Sequence, residues 1–195
     1  MANNATPYGF DQWGDGSGGA PTFQQTVGLI APTDTTAIFT GDPVVLLTTG
    51  YITRANPAAI PANGIYGIFG GCEYYSPSQN RIVQTPYWPG TNDVAGDIKA
   101  YVINTPFAKF KVKSSAAAIT QADVGANVNF VYVGTTGNTF NGQSNAAVDP
   151  TTIAVTATLP FRIVEILTIG TDPTQPNNEV VVEMNNQSFR TTTGI

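Results

Sequence analysis

The sequence contains no histidine, which removes the commonest general base, proton shuttle and metal ligand. Ser-His-Asp, Cys-His and HExxH arrangements are therefore excluded. Cysteine is nearly as scarce. Cys72 stands alone among 195 residues, so neither a disulfide within the chain nor a multi-cysteine metal site can form. Set within Ile68-Phe69-Gly70-Gly71-Cys72-Glu73-Tyr74, it reads as a small buried hydrophobe. Charge is thin as well: 11% of residues are charged, against roughly 25% in an average soluble protein. Thr, Asn, Ser, Gln and Gly must cover the surface instead. A neutral surface lacks the charge repulsion that keeps free proteins apart, and it suits a protein that works packed in an assembly.

Only eight residues are basic and the formal charge is −5, so the clustered Lys and Arg that neutralise phosphates are missing and no nucleic-acid partner is expected. No run approaches the ~20 apolar residues of a membrane-spanning helix, so no membrane partner is expected. The N-terminus has neither the basic region nor the apolar run of a secretory signal, and synthesis in a cytoplasm is expected. Four glutamates, Glu73, Glu165, Glu179 and Glu183, qualify by type for glycosidase work, but Glu165 and Glu183 alternate with apolar neighbours and read as solvent-facing. Residues 11–15 and 92–97 hold Asp and Asn without the spacing of a calcium loop. No catalytic residue, metal site or cofactor is expected.

Residues 1–25 include Gly14, Gly16, Gly18 and Gly19 and show no helical or strand period, which predicts an extended N-terminal arm. Tyr8, Phe10, Trp13 and Phe23 are spaced along it as anchors and are expected to dock on neighbouring subunits. The alternative is an arm folded back on its own domain. Residues 26–195 read as one β domain, with strands predicted at 26–31, 37–40, 44–48, 51–54, 65–75, 98–104, 107–112, 127–133, 151–158, 161–169 and 179–184. Gly67, Gly70 and Gly71 mark a bulge or a close backbone approach. Strands 98–104 and 107–112 are expected to pair across Thr105-Pro106. Thr120 to Asp123 carries the only helix-start spacing.

Alternation places Phe69, Val102, Phe110, Phe130, Ile153, Ile163 and Val181 in the core. The fold class expected is all-β, an antiparallel barrel or sandwich with an extended N-terminal arm and very little helix. Lys109, Lys111 and Lys113 share one face of a strand, as a solvated edge or as a basic stripe for an acidic partner. Two long stretches, 76–97 and 135–150, read as irregular and contact-making. The first contains Tyr87 and Trp88, residue types that anchor interfaces or stack on sugars, and the interface is the expected use.

Several stretches together resemble the head decoration, or cement, proteins of tailed bacteriophages. They are the opening MANNATPYGF, Gly41-Asp42-Pro43-Val44-Val45 with Gly50, Gly64-Ile65-Tyr66-Gly67-Ile68-Phe69-Gly70-Gly71-Cys72-Glu73-Tyr74, Tyr87-Trp88-Pro89, and Ala122-Asp123-Val124-Gly125-Ala126-Asn127. The resemblance implies a non-enzymatic structural protein of the virion, located on the outer capsid surface, that stabilises the shell by bridging neighbouring capsid subunits. Its implied partners are the major capsid protein and other copies of itself, as a homotrimer. The alternative is a receptor- or carbohydrate-binding module of a phage tail or fibre.

Overall fold

Period-2 alternation gives each strand two faces, and here several strands alternate between two apolar surroundings instead of between core and water. The computed structural model describes residues 2–16 and 19–190. In chain order the strands are β1 (Asp11–Gly14), β2 (Thr26–Ile30), β3 (Ile38–Phe39), β4 (Pro43–Leu46), β5 (Ile52–Arg54), β6 (Gly67–Ser76), β7 (Arg81–Thr85), β8 (Tyr87–Trp88), β9 (Ala95–Ile103), β10 (Lys109–Lys113), β11 (Asn127–Asn138), β12 (Gln143–Ala154), β13 (Phe161–Ile166) and β14 (Glu179–Met184). One sheet runs β1-β10-β14-β13-β11-β12 and another β2-β9-β6-β4-β5, with β7 added to β6; β3 and β8 form a two-stranded ribbon. All of these strand pairs are antiparallel. The chain is an all-β sandwich, as its sequence predicts.

The second sheet curls. Its edges β2 and β5 approach until a Cβ on Gly28 would stand 3.1 Å from Ile52 Cδ1, which makes it a partly open barrel. Inside lie Ile30, Val44, Ile52, Phe69, Ile98 and Val102, with Ile38 and Trp88 of the ribbon packed among them. Between the sheets is a larger core of Phe10, Phe110, Phe130, Phe161, Ile163 and Val182 against Val45, Ile68 and Ile103. Chain neighbours Val44 and Val45, Ile68 and Phe69, and Val102 and Ile103 thus enter different cores. Of the expected core residues, Phe69, Val102, Phe110, Phe130, Ile163 and Val181 are buried, and Ile153 is half-buried against the larger core.

The expected bulge falls between Phe69 and Gly71, where Gly71 takes φ 136. Gly67 is the close approach, since a Cβ there would meet Ile103 O at 2.5 Å. Thr120 opens a single 3-10 turn, Gln121–Asp123, where the Asp123 carboxylate accepts the Thr120 N–H and hydroxyl, each at 2.8 Å.

Three expectations are corrected. Strands 98–104 and 107–112 do not pair: β9 belongs to the curled sheet and β10 to the other. Ile103 and Ala108 both face the shared core, so Thr105-Pro106 carries the chain around that core from sheet to sheet. Residues 76–97 contain β7, β8 and the start of β9, and 135–150 are the outer part of the β11–β12 hairpin. There the inward positions are Gly142, Ser144 and Ala146, too small to register as a hydrophobic period. The third correction concerns the N-terminal segment, which forms β1 along β10.

Candidate functional site

Five of the six residues singled out as anchors fall in two places, and the sixth, Phe23, lies exposed in the connection before β2. Along β10, β1 sets Asp11 opposite Lys111 and Gln12 opposite Phe110. The Phe10 ring, expected to dock on a neighbouring subunit, lies buried in the core of the chain itself, stacked on Phe161 at 4.3 Å and edge-on to Phe130 at 6.4 Å. Its N–H donates to Gly41 O at 3.0 Å. The Tyr8 hydroxyl donates to Glu179 Oε1 at 3.1 Å, and burial beside that carboxylate raises the phenol's pKa. Lys111 Nζ stands 5.4 Å from the Tyr8 ring centre and 5.5 Å from that of Trp13, within cation–π range. Lys113 is buried and donates to Asn4 O at 2.7 Å; burial lowers its pKa, with Glu179 opposing. Asn3 exchanges hydrogen bonds with Asp172, both 2.8 Å. The lysine row is thus largely covered by the chain's own N-terminus. Trp13 and Phe23 stay exposed, Phe23 with φ 50.

The second place is the ribbon. Trp88 is fully buried, edge-on to Tyr74 at 5.2 Å, with its Nε1 donating to Asp34 O at 3.0 Å. Tyr87 stacks on Phe39 at 5.3 Å. Trp88 offers no free stacking face and one face of the half-buried Tyr87 is taken by Phe39, and Trp88 is a core residue where an interface anchor was expected.

The chemistry-bearing groups are drawn into structural bonds. Asp42, fully buried, accepts the Phe39 N–H at 2.8 Å and the Ser144 hydroxyl. Burial pushes its carboxyl up to about 7 against those two bonds and the pull of Arg54. Burial pushes the Cys72 thiol up to about 12. Asp93 accepts from Ser76 and Ser78, and Glu183 lies 3.9 Å from Arg190. Glu165 is exposed. Among the described residues no three His, Cys, Asp or Glu side chains cluster so as to hold a metal ion.

The outer face of the curled sheet was missed by sequence reasoning. Register aligns Leu29, Lys99, Glu73 and Gln84 in one row across β2, β9, β6 and β7. Lys99 Nζ meets Glu73 Oε1 at 2.8 Å and Gln84 Nε2 meets Oε2 at 3.1 Å. Lys99 and Gln84, with Tyr101, hold the Glu73 carboxyl down to about 2. Around this compensated pair stand the exposed side chains Val27, Leu29, Tyr75 and Ile82, Ile82 being 66% exposed. In Val27-Gly28-Leu29-Ile30, alternation alone gives no clear inward face; the structure turns Gly28 and Ile30 inward. The chain matches no protein-family model, no curated protein and no solved structure.

Proposed function

We propose that this chain is a non-enzymatic structural protein of a bacteriophage particle, a decoration protein that binds the outer surface of the capsid and braces neighbouring capsid subunits. The observation that carries the reading is the outer face of β2, β9, β6 and β7, where Val27, Leu29, Tyr75 and Ile82 stand exposed around one self-neutralised Glu73–Lys99 pair. Such a face recognises by shape and apolar contact and gains little from ion pairing. The resemblance of several stretches to head decoration proteins, and a composition poor in charge, support the same assignment. Bracing follows from linkage: a protein that binds only the assembled shell lowers the free energy of that state alone, and many copies on one lattice multiply the effect. The contact rests on this rigid face. The shell contact is assigned to this face and not to the N-terminal segment, whose Phe10 fills the groove of a domain core.

The test is occupancy. Purified chain is added to undecorated shells of the phage that encodes it, and bound copies per particle are counted across a salt series. Occupancy should persist at high salt and fall about tenfold or more for Ile82→Asp. Absence of binding to shells, or binding that vanishes as salt rises, refutes the reading.

A further inference from the structure

The N-terminal segment sits in its own domain as a ligand sits in a groove. One wall is β10, which pairs with β1. The floor is Phe161, on which Phe10 stacks, and the far end is the loop after β13, where Asn3 meets Asp172. Gly9 touches the body so closely, a Cβ there coming 2.7 Å from Ser144 Cβ, that only glycine fits. No one of these contacts requires that strap and groove belong to the same molecule.

The connection from β1 to β2, residues 15–25, supplies a second and independent observation. Phe23 holds φ 50 with its ring 59% exposed, a left-handed backbone that an aromatic residue adopts only under strain. We infer that the groove along β10 also accepts the N-terminal segment of a second copy, so that chains exchange β1, with the strain at Phe23 as the bias toward exchange. The strap contacts are the same in both arrangements, which leaves the connection to decide between them. Drawn out, residues 15–25 span about 36 Å, enough to pass from one molecule to another lying beside it. An extended connection also releases Phe23 from its left-handed backbone.

The experiment uses full-length chains. Asp11 and Lys111 face each other in register, so Asp11→Cys is placed in one chain and Lys111→Cys in another, and the two are mixed, incubated and oxidised. Native Cys72 is buried and stays out of the reaction. Exchange yields a disulfide-linked pair of unlike chains, severalfold more than when Ile82→Cys on the other sheet replaces Lys111→Cys, and Phe23→Gly in both chains lowers that yield severalfold. One chain carrying both Asp11→Cys and Lys111→Cys confirms, by closing its internal disulfide, that the variants fold and the pair can bond. If that chain closes while the mixture links no better than the Ile82→Cys control, or if Phe23→Gly leaves the yield unchanged, the inference is overturned.

Discussion

Replacing Phe10 with Ala distinguishes a strap that belongs to the fold from an arm that merely rides on it. The ring is 3% exposed, stacks on Phe161 and meets Phe130 edge-on. Truncating such a residue in a closed core costs about 3–5 kcal/mol, a large share of the roughly 5–15 kcal/mol that holds a domain together. With a urea slope of about 2 kcal/mol per molar, the unfolding midpoint should fall by about 2 M. Trp13 lies only three residues further on, but its ring is half exposed and lies against Lys111 Nζ at 5.5 Å, so Trp13→Ala should cost about 1 kcal/mol or less. The assay is equilibrium unfolding of dilute purified protein, followed by fluorescence and circular dichroism together. A loss below about 1 kcal/mol for Phe10→Ala, or equal losses for the two variants, would refute the placement of Phe10 in the core.

Trp88→Ala removes a fully buried indole and its bond to Asp34 O, so it should destabilise the isolated protein by about 3–5 kcal/mol, measured by the same unfolding assay. Asp42 titrates near 7 in the folded chain and near 4 when unfolded. The folded state therefore keeps this proton longer, and stability should fall as pH rises from about 4 to about 7 and then level, by up to roughly 4 kcal/mol. Urea midpoints at about pH 5 and about pH 8 check this, and Asp42→Asn should flatten the difference. Glu73 works in the opposite sense: its contribution is present above its ordinary range and lost as pH falls toward about 2. Cys72, buried with its thiol pushed up to about 12, should resist alkylation in the native protein and react only on unfolding.

The strands with large alternating residues were legible in the sequence because Phe, Ile and Val announce an inward face; β6, β10 and β13 are such cases. The outer part of the β11–β12 hairpin was not, because its inward positions are glycine, serine and alanine. The N-terminal segment misled for a related reason. Its glycines suggest freedom, yet Gly9 packs so tightly against Ser144 and Gly41 that no side chain fits, and the Phe10 ring beside it is buried in the core. The pairing of β9 with β2 and β6 is long-range, and nothing local in Thr105-Pro106 tells a hairpin turn from a passage between sheets. The exposed face escaped notice because Val27 and Leu29 look the same in sequence whether they meet a core or a partner.

The curled sheet has a further consequence for how the molecule comes apart. β4, β6 and β9 serve two cores at once, as a party wall serves two rooms, and losing either core would bare an apolar surface on the other. No cut in the chain then yields a half that survives in water. Amide protons in the middle of β6 and β9 should exchange only when the whole molecule opens, at one common free energy. A chain built this way yields all at once or not at all.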